Sequence, residues 1–349
     1  MINTTCTLTT ACFRPNNSAH VAKTLQDALD AANSLMAIPI YLVIYGDCET
    51  IPLLKEKRAQ YGHTDKTVFK EINKMDMWSF QYLDQVNKNR EIYHPTKNER
   101  HNAEIHLINC NKADFVLQTI NSNPFNTTHF GWTDAFLGKD TVRICEDYNI
   151  TVLPTILNRI SAMDEKYHIQ VINGRDKKYK LPENKREYYS EYQWVVSGGF
   201  FVCGAEIGRK ILTRLKEHFV ETTNMGYGHG DEMLYLEILD EFYDDITRSY
   251  GDYEQLWDNF VEPVRDVHYI YWAIIHKMRD LGQHRELYDC GIAVLNSMLK
   301  HSKYGKVDEE TLDQFKIPKH IYMDIVDFTR TAAQHYKPEM VRHFAKYLM

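Results

Sequence analysis

One short stretch restricts this chain more than any other: Ile40-Tyr-Leu-Val-Ile-Tyr45, apolar without a break and closed by Gly46-Asp47. A strand that faces water on one side alternates apolar and polar residues. An unbroken run needs cover on both faces, which crossover helices give to an interior strand of a parallel sheet. The preceding segments fit that requirement. Thr5 to Phe13 is rich in β-forming residues and is stopped by Arg14-Pro15-Asn16-Asn17. Val21, Leu25, Leu29, Ala32 and Met36 then recur at helical spacing between residues 18 and 36. A β-α-β opening of this kind presents ligand chemistry at the carboxyl ends of its strands, here after Phe13 and at Gly46-Asp47.

Further along, residues 66 to 120 read mainly as helix interrupted at His94-Pro95, with Asn98 to Ile120 as one long amphipathic segment. Thr127 to Phe136, Tyr167 to Ile172 and Gln193 to Cys203 read as strands, Glu206 to Val220 and Asp231 to Tyr243 as helices. Strands separated by helices make the fold class α/β. From Pro263 the pattern changes to helices alone: Val267 to Met278, Arg285 to Leu299, Glu309 to Phe315 and Tyr322 to His335. Leu281 to Leu295 has a faint likeness to the turn and second helix of a tetratricopeptide unit, but one copy makes no solenoid. The expected organisation is an α/β domain over residues 1–262 and a helical C-terminal domain over 263–349, the latter packed on the main domain or joining two copies as a homodimer.

Composition narrows the function classes. A hydrophobic fraction of 44% is too high for a disordered chain, and a formal charge of −7 is the wrong sign for a nucleic-acid or anionic-membrane footprint. The richest apolar run, Ile38 to Tyr45, falls far short of a membrane span, and the first residues lack the basic and apolar regions of a secretory signal. Seven scattered cysteines, never in a CxxC pair, read as buried thiols of a reducing compartment, so the expected location is cytoplasmic. Neither GxGxxG, a P-loop, GxSxG nor HExxH occurs.

Three segments carry residues suited to chemistry. The first runs from Asn123-Pro-Phe to Phe130-Gly-Trp-Thr-Asp-Ala-Phe136. An acid closing an interior strand stands at the sheet's carboxyl edge, where Asp134 is suited to hold Mg²⁺ or Mn²⁺ and Trp132 to wall a nucleotide or sugar pocket. A turn-capping Asp134 beside a core Trp132 satisfies the same pattern. The second segment is Trp194-Val-Val-Ser-Gly-Gly-Phe-Phe-Val202. Adjacent glycines inside a strand mark either a bulge or a close approach, here of a sugar to Gly198 and Gly199. The third is Gly226-Tyr-Gly-His-Gly-Asp-Glu-Met-Leu-Tyr235, a glycine-rich loop that opens a helix at Asp231-Glu232. Acids there suit an N-cap and the helix dipole, and equally a general base facing a mobile loop. The helix N-terminus is expected to lower the base's pKa.

The order NPF…FxWxDA, SGGFF, GxGDE and Tyr250-Gly-Asp-Tyr253 resembles the HtrL/YibB-type glycosyltransferase-like family, with the GT-A fold, over about residues 3 to 262. That resemblance implies a GT-A-like mixed sheet flanked by helices, a UDP- or GDP-linked sugar donor, a glycan acceptor and Mn²⁺ or Mg²⁺ on a DxD-type acid. Asp134 is the matching acid, although Trp132 and Phe136 stand where a second would be expected. By the same resemblance Thr10, Arg14 and Asp47 meet the base and ribose. Lys97 and Arg100 meet the diphosphate, unless they are solvated-face charges. Ser197, Gly198, Gly199 and His229 lie on the acceptor and sugar side, and Asp231 or Glu232 is the catalytic base of an inverting transfer. Two other readings remain: a sugar nucleotidyltransferase, for which Arg14-Pro-Asn-Asn17 lacks the glycine-rich basic loop, and a non-catalytic scaffold that presents the helical tail.

Overall fold

The computed structural model describes residues 5–14, 24–92, 102–135, 137, 150–228, 230–253, 256–261, 266–303 and 305–348. In chain order the elements that frame the sheet are β1 (Cys6–Cys12), α1 (Leu25–Met36), β2 (Tyr41–Gly46), α2 (Thr50–Gln60), β3 (Thr67–Glu71), α3 (Leu83–Ile92), α4 (Ala103–Cys110), α5 (Lys112–Ser122), β4 (His129–Thr133), α6 (Leu153–Met163), β5 (Tyr167–Val171), α7 (Lys185–Tyr189), β6 (Val196–Gly204), α8 (Ala205–Asn224), α9 (Tyr235–Glu241) and β7 (Ile246–Tyr250). They make a seven-stranded sheet in the order β3-β2-β1-β4-β6-β5-β7, a mixed sheet flanked by helices.

The local reasons are visible in the sequence. Thr24 and Asp27 close a reciprocal capping box that starts α1, and the buried stripe Ala28, Leu29, Ala32, Leu35 and Met36 faces the core. The unbroken run of β2 is buried from Leu42 to Gly46, as its composition demands. Inside α2 the fully buried Arg58 donates to the carbonyls of Met36, Ile38 and Ile40 and to the Thr67 hydroxyl, at 2.7–3.0 Å. One side chain thereby fastens the α1–β2 connection to β3.

Strand pairing decides where the chemistry falls. β1 is parallel to β2 and β4, β2 is parallel to β3, and β6 alone is antiparallel to β4. Cys12 lies beside Gly46, Gly46 beside Glu71, and Thr133 beside Phe200. The carboxyl ends of β1, β2, β3 and β4 therefore share one edge with the amino-terminal half of β6.

Three expectations need correction. The stretch 66–120 contains the strand β3, whose Lys70 and Glu71 are exposed at the sheet margin, so no apolar alternation betrays it. Asn98 to Ile120 is not one helix: the described part is α4 and α5, which meet at Asn111, whose side-chain oxygen accepts the Ser79 N–H. Asp231 opens a 3₁₀ turn, Asp231–Leu234, rather than an α-helix, and α9 follows it.

The chain divides into two units. Met1–Ile169, Lys177–Trp194 and Gly198–Thr247 make the first; Gln170–Asp176, Val195–Ser197 and Arg248–Met349 make the second. Beyond β7 the second unit is helical: α10 (Asp258–Val261), α11 (Val267–Ile270), a π turn at Tyr271–Ile275, α12 (His276–Asp280), α13 (His284–His301), α14 (Glu309–Gln314) and α15 (Lys319–Tyr336). Gly291 lets α13 approach Thr329 of α15 where any side chain would collide. Among the described residues no helix is long and apolar enough to cross a membrane.

Candidate active site

At the carboxyl edge, within the first unit, the chain gathers a buried charge cluster. Its centre is Lys112, the first residue of α5, whose side chain is only 9% exposed. Its Nζ lies 3.1 Å from Asp134 Oδ1 and 3.2 Å from Asp231 Oδ2, and donates to the Gly198 carbonyl at 3.0 Å. The Trp132 indole lies 5.7 Å away, and its Nε1–H donates to the same Asp134 Oδ1 at 2.6 Å.

Each partner is placed by backbone. Asp134 directly follows β4, and its N–H donates to the Gly199 carbonyl of β6 at 2.8 Å. Glu232 reaches back across β6: Gly198 N–H donates to its Oε1 at 2.9 Å, and the Tyr192 hydroxyl donates to its Oε2 at 3.0 Å. Gly198 is a glycine for a steric reason, since a Cβ there would stand 2.9 Å from both Asp231 Oδ2 and Glu232 Cγ.

Electrostatics distinguish the two acids from ordinary surface carboxylates. Burial raises the pKa of Asp231; Lys112 opposes that rise, Asp134 adds to it, and the net shift is upward. Glu232 is raised by burial first and then by Asp231, against the pull of the Gly198 N–H, Lys112 and the Tyr192 hydroxyl. The lowering expected from a helix N-terminus is thus reversed, because desolvation outweighs the dipole of a single 3₁₀ turn. Burial, together with the Glu232 charge, also pushes the Tyr192 phenol well up, so it stays a neutral donor.

A second feature of the same edge is a cleft of about 580 Å³ at the ends of β2 and β3, lined among others by Asp47, Glu71, Asn73, Lys74, Phe80 and Glu104. Asp47 is committed to backbone: its carboxylate accepts from Glu49 N, Thr50 N and Arg14 N at 2.7–3.1 Å. Burial works against its ionisation, yet those bonds hold its pKa below the ordinary value. Lys74 spans the cleft wall, donating to Glu104 at 2.7 Å and to the Arg14 carbonyl at 3.0 Å.

The residues nominated from sequence therefore separate. Asp134, Asp231 and Glu232 come together. Asp47 lines the cleft, while the Arg14 guanidinium is turned to Glu49, with 2.8 Å to each carboxylate oxygen. Thr10 is fully buried in β1, and its hydroxyl has no hydrogen-bond partner among the described residues, so it offers nothing at the surface. Trp132 is not a pocket wall: it is 3% exposed and stacked on Phe115. Ser197, Gly198 and Gly199 are buried, and Asp231 and Glu232 lie against Gly198. Lys97, Arg100 and His229 lie outside the described residues.

The expected divalent ion does not fit Asp134 as the residues stand. The carboxylate oxygen facing the cluster already accepts an ammonium and an indole N–H, and the neighbouring Asp231 is held by the same lysine. Among the described residues no group of three or more His, Cys, Asp and Glu side chains is arranged to hold a metal.

Sequence reasoning missed Lys112 and Tyr192. A faint signal for Lys112 existed: a cation opening a helix, as in Asn111-Lys-Ala-Asp114, sits at the end where the helix dipole disfavours it. That misplacement needs a compensating anion, and the fold supplies two.

The fold and site together define a mixed α/β sheet with its reactive groups at the carboxyl edge of the parallel strands. No protein-family model matches the chain, and no curated protein matches it in sequence. Among solved structures the chain is similar to mouse xyloside xylosyltransferase 1 in its apo form, with a TM-score of 0.37 and 12% identity over 69% of this chain and 84% of that one. It is also similar to 4-diphosphocytidyl-2C-methyl-D-erythritol synthase of Anaerococcus prevotii DSM 20548, with a TM-score of 0.33 and 9% identity over 74% of this chain and 95% of that one.

Proposed function

We propose that this chain is a glycosyltransferase of the HtrL/YibB type, moving a sugar from a nucleotide-sugar donor to a hydroxyl of a glycan acceptor with inversion. One observation carries this reading: a largely enclosed carboxylate of raised basicity, Asp231, stands 3.2 Å from a buried ammonium at the edge where a sheet of this kind receives ligands.

The division of labour follows from hydrogen bonding. Both oxygens of Glu232 are already engaged, one by Gly198 N–H and one by Tyr192, so Glu232 anchors the turn. Asp231, 13% exposed, keeps an oxygen for substrate. It accepts the acceptor hydroxyl's proton as that oxygen bonds to the anomeric carbon; the bond from that carbon to the phosphate oxygen breaks, and the nucleoside diphosphate leaves. A base with a pKa raised towards the working pH suits that role. The cleft beside Asp47 and Lys74 is the natural seat for the donor's nucleoside. Trp194, half-exposed and packed on Tyr192 at 4.9 Å between ring centroids, offers the acceptor an aromatic face.

Calorimetric titration with UDP-, GDP- and dTDP-sugars tests the donor class, and the anomeric proton signal of the product tests inversion. Absence of binding by every donor favours the scaffold reading, and a retained anomeric configuration rejects direct displacement.

A further inference from the structure

We propose that Lys112 is the permanent cation of this site, standing in place of the divalent ion expected at Asp134, so that the donor diphosphate is held and its departure neutralised without a metal. The assignment rests on the glycosyltransferase reading above and deepens it.

Three features point the same way. First, among the described residues the ammonium is surrounded by Asp134, Asp231 and the Gly198 carbonyl at 3.0–3.2 Å. Mg²⁺ demands near-octahedral oxygens at about 2.0–2.1 Å, which this cage cannot supply while the lysine is in it. Second, Trp132 aims an N–H at the Asp134 oxygen that a metal would need. That donor favours an anion satisfied by hydrogen bonds. Third, the Asp134 side chain is 32% exposed while that of Lys112 is 9% exposed. The cluster is therefore open on the Asp134 side, where a phosphate oxygen can exchange for the carboxylate and take a hydrogen from Nζ.

This arrangement couples base to counter-charge. When Asp231 accepts the acceptor's proton, its carboxylate becomes neutral and its hold on Lys112 weakens. At the same moment the breaking bond places a further negative charge on the departing diphosphate. The negative charge lost at Asp231 is matched by the one gained on the diphosphate, so the net charge around Lys112 does not change. The cation that meets the leaving group is thus already in place, which is what electrostatic stabilisation of a developing charge requires.

The test uses the full chain and two titrations. MnCl₂ alone is titrated into the wild type, Asp134→Asn and Lys112→Met, the last keeping the stem's volume while removing the charge. The wild type is expected to show no saturable Mn²⁺ binding, and Lys112→Met to gain Mn²⁺ affinity by ~10-fold or more, because it leaves two carboxylates and a carbonyl around a vacated position. UDP and GDP are then titrated in EDTA and again with Mn²⁺. Wild-type affinity for the nucleotide that binds is expected to be the same in both, and Lys112→Met to lose ~10-fold in EDTA, the scale of one charge-assisted hydrogen bond. Tight Mn²⁺ binding by the wild type that Asp134→Asn abolishes overturns the proposal. So does a tenfold gain in nucleotide affinity on adding Mn²⁺, and both measurements on the wild type stand even if Lys112→Met does not fold. Failure of either nucleotide to bind under any condition overturns the transferase reading, and with it the leaving-group role. The MnCl₂ titration separately reports whether the lysine or a metal owns the cage.

Discussion

Two buried cations in the first unit have opposite surroundings. Arg58 is enclosed by three main-chain carbonyls and one hydroxyl, all fixed by secondary structure and none able to titrate. Lys112 is enclosed by two carboxylates and one carbonyl at the sheet's carboxyl edge. Burial lowers the Arg58 pKa to about 10, which still leaves it charged at neutral pH. A planar fork among neutral oxygens is a fastening, because its donors fit acceptors whose positions the backbone sets. A point charge among acids can change its partners when one takes a proton. The same physical device, a cation inside the protein, is structural in one place and, on the proposed reading, chemical in the other.

Four measurements would break or sharpen that contrast. The largest effect is expected from Arg58→Met, which strands three carbonyls and a hydroxyl. Denaturant unfolding should show a loss of about 3–5 kcal/mol, in line with removing one partner of a buried charged network; a loss below 1 kcal/mol would reject the fastening role. Next, Asp231→Asn should cut turnover by at least ~10²-fold with donor affinity nearly unchanged, read from steady-state kinetics beside calorimetry. Retained turnover would remove Asp231 from proton transfer. Gly198→Ala sets a methyl 2.9 Å from both acids. It should cost about 1–3 kcal/mol of stability by overpacking, and an unperturbed melting curve would mean that the acid pair is loosely held.

The smallest effect concerns pH. Glu232 has a raised native pKa, so the folded chain keeps a proton that the unfolded chain has released above roughly 4.3. Its contribution is fully present below that unfolded value and is lost as pH climbs to the raised native one. Glu232→Gln should flatten this part of the stability profile, whereas Arg58→Met should shift the whole profile without changing its slope there. An unchanged slope in Glu232→Gln would show that its proton is not linked to folding.

How much of this was legible in the sequence depended on whether a feature was local. β2 declared itself through an unbroken apolar run, and Asp134 through its place at the end of the strand around Trp132. The acid pair Asp231-Glu232 announced itself through the glycines before it. β3 did not, because Thr67 to Glu71 is short and ends in two exposed charged residues. Lys112 was hidden for a different reason. A lone lysine has no motif, and its meaning arises only when strands 22 and more residues away bring acids to it. At Gly198 the close approach that a strand glycine allows is made by the chain's own Asp231 and Glu232, a partnership that the local sequence does not reveal. Thr10 is fully buried, which its place near the end of the first strand does not reveal.

The pairing of β6 against β4 has a consequence for how this chain can change over evolutionary time. Asp134 hangs from one strand and Gly198 lies in the other, and the bond from Asp134 N–H to Gly199 O stitches them at a fixed register. Because neighbouring strand residues face opposite sides of a sheet, a single-residue insertion between Gly199 and Gly204 would move Gly198 off the acids and turn it to the opposite face. Chains that keep this acid cluster should therefore keep the length of these nine residues of β6.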